Sequence, residues 1–137
     1  MSKKKIEELW GVDSASLGFC MVPMTILNAH KRLGINPTQF SIILQLLGYW
    51  WQKDNSPFPT KKAIAEQIGI SPRQVQRNIA ALEQAGLIER VYRTGGDKGN
   101  KSNVYKLDGF VKKVSDISRE IIDAKTDLST AKKTKKL

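Results

Sequence analysis

The sequence predicts a mainly α-helical fold with a small β-hairpin, and two neighbouring segments support this prediction. Residues 60–86 carry apolar side chains at helical spacing in two short stretches separated by a turn. Residues 87–107 contain two runs of alternating apolar and polar residues around a glycine-rich stretch, which is the pattern of a hairpin. A chain of 137 residues is long enough to form one domain with a single core.

Local signals mark both ends of the two helices. Thr60 can cap the first helix, and Gly69 can end it. Ser71, an N-cap followed by proline, starts the second helix at Pro72, and Gly86 ends it. Each helix has an inward apolar stripe, formed by Ile64, Ala65 and Ile68 in the first and by Val75, Ile79 and Leu82 in the second.

The outward face of the second helix, residues 72–85, is polar and basic. Arg73 and Arg77 lie opposite the apolar stripe, and Gln74 and Gln76 flank them. Arginine reads guanine edges in the major groove of DNA, and glutamine reads adenine edges. We therefore expect Arg73 and Arg77 to contact guanine, and Gln74 and Gln76 to contact adenine or phosphate. The alternative is a helical hairpin whose arginines are only solvated.

Basic residues around this helix are candidates for the phosphate backbone. Ser71, Lys61 and Lys62 lie near helix N-termini, where phosphates bind readily. The hairpin loop TGGDKGNKS holds three glycines and two lysines. The hairpin residues that we expect to contact the DNA backbone are Arg90, Arg93, Lys98 and Lys101. An ordinary surface hairpin with solubilising lysines remains the alternative for this loop alone.

Residues 60–90 resemble the winged helix-turn-helix family of DNA-binding proteins. The resemblance is carried by Ala65, Gly69, Ile70 and Ser71, by the two-arginine helix, and by the sequence ALEQAGLIER that leads into the wing. It implies that Ala65 lies where the two helices cross closely and that Gly69 takes the turn. It also implies a winged helix-turn-helix followed by a C-terminal helix.

A wider resemblance covers residues 18–107, the expected DNA-binding domain. An extended lead-in GFCMVP (18–23), a helix from Pro23 to Leu33 and a very apolar helix over 37–52 precede the helix pair. This layout is similar to the DNA-binding domains of phage and plasmid replication initiators. It is equally similar to small winged-helix regulators of mobile elements, so both roles stay open.

The C-terminal part is expected to be a helix over residues 108–124 and a disordered basic tail over 125–137. A heptad-like seam of Phe110, Val114, Ile117 and Ile121 runs along that helix. We expect the seam to pair two chains as a homodimer; packing on the helix's own domain is the alternative. Residues 1–17 are expected to be a basic N-terminal arm, with lysines at positions 3–5.

Charge and composition favour a polyanionic partner. Lysine and arginine number 23 against 13 acidic residues, a net charge of +10. Residues 72–106 hold seven basic and three acidic side chains, a net charge of +4, and residues 125–137 also carry +4. The chain contains no apolar run of membrane-spanning length and no secretory signal at its start, and a single cysteine excludes an internal disulfide. We expect a cytoplasmic, nucleoid-associated protein.

Catalytic motifs are missing from the sequence, so no enzyme activity, cofactor or metal is expected. The only histidine is His30, the glycine-rich loop lacks the spacing of a nucleotide loop, and no acidic pair suggests acid–base chemistry. Single-stranded DNA or RNA binding would need exposed aromatics, and we assign Tyr92 and Tyr105 to the core. The prediction is a homodimeric, sequence-specific binder of double-stranded DNA, a transcriptional regulator. The alternative is an origin-binding replication or partition protein of a plasmid or phage.

Overall fold

The computed structural model describes residues 2–50, 56–57, 59–92 and 103–135. In chain order its helices and strands are α1 (Lys3–Trp10), α2 (Val12–Ser16), α3 (Met24–Asn28), α4 (His30–Leu33), α5 (Pro37–Gly48), α6 (Lys61–Ile68), α7 (Pro72–Gln84), β1 (Glu89–Val91), β2 (Val104–Lys106) and α8 (Asp108–Lys135). The expected mainly helical fold with a small hairpin is confirmed.

The core is built around α5, the most apolar helix. Ile42, Ile43 and Leu46 are fully buried and pack with the inward stripes of α6 and α7. Asn36 begins α5 with a reciprocal capping box, in which its side chain accepts from the Gln39 backbone and the Gln39 side chain accepts from the Asn36 backbone. A helix was expected over 37–52, whereas α5 ends at Gly48.

Upstream of α5 the chain differs from the prediction in two places. The helix expected from Pro23 to Leu33 is interrupted at Ala29, whose φ of −116° separates α3 from α4. The segment expected to be a basic arm forms α1 and α2, which pack on each other with Ile6 and Ala15 buried. The lysines at positions 3–5 lie on the first turn of α1, where Ser2 provides the cap.

Helix α8 corrects the prediction for the dimer seam. Phe110, Val114 and Ile117 are buried in the chain's own core, and Ile121 packs against the edge of that core. Phe110, Val114 and Ile117 are therefore unavailable as the interface between two copies, because one protomer already buries them. The helix also continues to Lys135, where a disordered tail was expected after residue 124.

A close backbone approach fixes the start of α8 against the end of α7. The amide of Phe110 donates to the carbonyl of Leu87 over 2.8 Å. A Cβ on Gly109 would overlap the carbonyl group of Gly86. Only glycine fits there without moving the backbone. The turn after α7 and the first turn of α8 consequently form one packed unit.

Candidate nucleic-acid interface

Helices α6 and α7 form the expected helix–turn–helix unit. Thr60 accepts from the Ala63 backbone at the start of α6, and Gly69 ends that helix with a φ of +76°. This left-handed conformation favours glycine and turns the chain sharply toward Ser71. Ala65 is almost fully buried, as expected for a residue at the crossing of the two helices.

The outward face of α7 presents its arginines to solvent. Arg73 and Arg77 are both exposed, whereas Val75 and Ile79 on the opposite face are completely buried. The buried stripe fixes the rotation of α7 about its axis, so the two arginines point away from the core together. A protruding helix with two unshielded guanidinium groups has the size and chemistry to enter a major groove.

The two glutamines predicted to read bases differ in their surroundings. Gln74 closes the capping box of α7: its Oε1 accepts from the backbone N–H of Ser71 over 3.0 Å. The Ser71 hydroxyl in turn accepts from the Gln74 backbone over 3.1 Å. Ser71 and Gln74 therefore hold the start of α7 in place, and only the amide NH₂ of Gln74 is left to donate outward. Gln76 is half-buried on the flank of the helix.

The hairpin that follows α7 is antiparallel and short. Its register pairs Glu89 with Lys106, Arg90 with Tyr105 and Val91 with Val104. The amide of Tyr105 donates to the Pro57 carbonyl over 2.8 Å, so the segment before α6 borders β2 as well. Tyr105 is buried, as expected, and burial is the largest cause of the raised pKa of its phenol.

Arg90 anchors the hairpin to α7 and is not a free phosphate ligand. Its Nη2 and Nε donate to the two carboxylate oxygens of Glu83 over 3.0 and 3.2 Å, and its backbone N–H donates to Glu83 as well. The Arg90 side chain is only 12% exposed. The hydrogen bonds from Arg90 are the main cause of the lowered pKa of Glu83. Arg90 was expected to contact the DNA backbone. The structure instead gives it a role in positioning the wing.

Lys61 lies close to this pair, whereas Lys62 is free in solvent. The pKa of Lys61 is lowered, first by partial burial and then by the positive charge of Arg90. Lys62 is exposed on the first turn of α6. The start of α6 and the outward face of α7 therefore carry the exposed or half-buried cations Lys61, Lys62, Arg73 and Arg77.

The remaining predicted contacts, Arg93, Lys98 and Lys101, lie outside the described residues. Tyr92, assigned to the core from sequence, is instead 71% exposed where β1 leaves the sheet.

Glu83 was not predicted as part of the site. Its opposite charge to Arg90, seven residues away across the helix-ending Gly86, was the available signal.

The other features of the described part of the chain lie apart from the outward face of α7. None of its helices is long and apolar enough to cross a membrane, and none of its His, Cys, Asp and Glu clusters could hold a metal. His30 stacks on Phe40 with ring centroids 4.6 Å apart, which is a packing role. An apolar groove of about 970 Å³ lies between the 19–23 segment, α5 and α8, and no residue of α6 or α7 lines it.

The chain is similar to known proteins in sequence and in structure. Residues 33–88 match the model of a family described as a helix-turn-helix domain. No curated protein matches the chain in sequence. The N-terminal domain of DnaD protein from Geobacillus kaustophilus is 20% identical, with a TM-score of 0.60 over 93% of this chain and 99% of that one. The MepR–DNA complex of S. aureus is 18% identical, with a TM-score of 0.48 over 81% of this chain and 86% of MepR. Residues 33–88 are thus similar in sequence to a helix-turn-helix domain, and α6, α7 and the antiparallel hairpin after them give the chain a winged helix-turn-helix fold.

Proposed function

We propose that this protein binds double-stranded DNA sequence-specifically and acts as a transcriptional regulator. The observation that carries the proposal is the exposed arginine pair on α7, opposite a stripe that is completely buried. In helix-turn-helix proteins the second helix lies in the major groove and contacts base edges with its N-terminal residues. Arg73 and Arg77 occupy the first half of α7.

Each basic residue has a distinct role in this proposal. Arg73 and Arg77 contact guanine, and Gln76 contacts an adenine or a phosphate at the edge of the groove. Lys61 and Lys62 bind phosphate, as do Arg93, Lys98 and Lys101 of the wing. Ser71 and Gln74 keep the start of α7 helical and close to the DNA backbone. No catalytic step is assigned to any of these residues.

A homodimer on an inverted repeat is the form in which we expect this protein to act. Two helix-turn-helix units related by a two-fold axis read half-sites whose centres lie about 34–36 Å apart. The protein would then be nucleoid-associated. A second candidate is origin binding in replication or partition, which the resemblance of residues 18–107 to phage and plasmid initiators supports.

Selection of bound fragments from a random duplex library tests the proposal. We expect one recurring motif with dyad symmetry, and tighter binding to its duplex than to either separated strand. Directly repeated sites filled by successive monomers would favour the origin-binding candidate. Equal binding to all duplexes, or preference for a single strand, would contradict sequence-specific reading of the major groove.

A further inference from the structure

The apolar stripe of α8 continues beyond the point where the helix leaves the core. Its members follow one another at spacings of four and three: Phe110, Val114, Ile117, Ile121, Ala124, Leu128 and Ala131. The first three are buried in the core, whereas the last three are exposed, Leu128 by 63%. This spacing is a heptad repeat, with Ile121 and Leu128 at a positions and Ala124 and Ala131 at d positions. Within the described residues, the second half of the stripe has no partner.

The projecting half of α8 lacks the core packing that supports its first half. Residues 122–135 extend about 21 Å past the core, at 1.5 Å per residue. Isolated helices shorter than about 12–15 residues are marginal in water. A second helix against the exposed stripe would bury Leu128 and stabilise this segment.

The charges beside the stripe are complementary to those of another copy of the same helix. Asp127 occupies a g position, and Lys132, five residues later, occupies the following e position. In a parallel pair of helices, g of one chain faces the next e of the other. Both side chains are exposed and form no ion pair in the described part of the chain, whereas Arg119 and Asp123 pair within α8.

The same charges disfavour an antiparallel arrangement. Antiparallel helices would place g against g and e against e, so that Asp127 would face another aspartate and Lys132 another lysine. Glu120 and Lys125 repeat the g-to-e pattern one heptad earlier. Because Glu120 also pairs with Arg32 of its own chain, the Asp127–Lys132 pair is the stronger indicator.

We propose that residues 121–134 of α8 form a parallel two-stranded coiled coil with a second copy of this chain. The seam is two heptads long, with an alanine at each d position, so the dimer is reversible and depends on protein concentration. It places the two helix-turn-helix units about a two-fold axis. The coiled coil forms without DNA, so its failure would leave the proposed DNA binding untouched.

Sedimentation velocity of the full chain without DNA, over a concentration series, tests the seam. We expect a monomer–dimer equilibrium. Leu128→Glu should raise the dimer dissociation constant about 10-fold or more, because it places a charge at the seam. Ser129→Glu, on the outer face one residue away, is the matched control and should change nothing. A chain that stays monomeric, or a dimer indifferent to Leu128→Glu, overturns the proposal. The latter result would move the interface to another surface, such as the exposed apolar residues Leu9, Trp10, Leu17 and Met21.

A charge exchange tests whether the partner is a second copy in the parallel register. Asp127→Lys and Lys132→Asp should each weaken their own dimer about 3-fold or more, since each replaces two attractive pairs by repulsive ones. An equimolar mixture of the two variants should restore association as a heterodimer, because both of its g–e pairs are again of opposite charge. A mixture that associates no better than either variant alone overturns the assigned pairs.

Disulfide trapping tests the parallel orientation. In a Cys20→Ser background, Ala131→Cys should crosslink two chains when diamide is added, because equal d positions face each other in a parallel pair. Ser129→Cys, on the outer face, should crosslink far more slowly. Equal rates for the two variants, or no crosslink from Ala131→Cys in a protein that still sediments as a dimer, overturns the parallel arrangement.

Discussion

The guanidinium of Arg90 on β1 holds both carboxylate oxygens of Glu83 on the last turn of α7. This pair joins the wing to the helix that we propose reads DNA, because the two residues belong to different elements separated only by the turn at Gly86. The backbone N–H of Arg90 donates to the same carboxylate, so the first strand of the hairpin is fixed in direction as well as in place.

Removing Arg90 should loosen the wing. Arg90→Ala is expected to lower the free energy of unfolding by about 1–3 kcal/mol, since hydrogen bonds to a charged group are lost and Glu83 keeps no partner. It should also weaken binding to all duplexes alike. Urea unfolding and titrations with specific and random duplexes measure both effects. Arg119→Ala, which breaks an exposed pair within α8, is the control and should cost less than about 1 kcal/mol. Equal losses in the two variants would contradict the anchoring role.

The same pair predicts a dependence of stability on pH. Arg90 lowers the pKa of Glu83 in the folded chain, so the pair's contribution is fully present above the ordinary glutamate pKa. That contribution is lost as the pH falls through the lower folded value. Glu83→Gln should therefore be less stable than the natural chain at neutral pH and lose less stability on acidification. Parallel stability–pH curves for the two proteins would show that the pair contributes nothing.

Gly109 should tolerate no side chain. Gly109→Ala is expected to destabilise the fold by about 1–3 kcal/mol, because the new Cβ meets the backbone of Gly86, which cannot rotate away. Gly48→Ala is the matched control, since its Cβ would meet nothing within 4 Å and lies in a helix, where alanine is preferred. Thermal unfolding of both variants gives the comparison. A Gly109→Ala protein as stable as the Gly48→Ala protein would mean that α8 can shift freely at its start.

The helix-turn-helix unit could be predicted from sequence because its signals are local. Thr60, Gly69 and the Ser71–Pro72 pair mark helix ends within a few residues, and the structure confirms each of them. The apolar stripes of α6 and α7 were equally plain, since only one face of each helix is apolar. The exposed position of Arg73 and Arg77 followed from those stripes.

The parts that sequence could not settle depend on contacts between distant segments. Periodicity showed that Ile117 lies on an apolar face, but it does not say whether that face meets its own domain or a second copy. Arg90 was taken for a DNA contact because its opposite charge to Glu83, seven residues earlier, was not weighed as an ion pair across the turn at Gly86. The helices within residues 1–17 were missed because the lysines near the N-terminus obscured the short apolar pattern around Ile6.

Whether α7 reads base sequence can be tested with one substitution, Arg77→Ala. Binding of the Arg77→Ala protein should be measured on a selected duplex and on random duplexes, each over a series of salt concentrations. We expect a loss of about 1–3 kcal/mol on the selected duplex, a relaxed preference at one base pair and little change on random DNA. Lys62→Ala, the control for a phosphate contact, should weaken both alike and reduce the salt slope by roughly one unit. If Arg77→Ala also weakened both duplexes equally, Arg77 would be a phosphate contact and the claim that it reads a base would be contradicted.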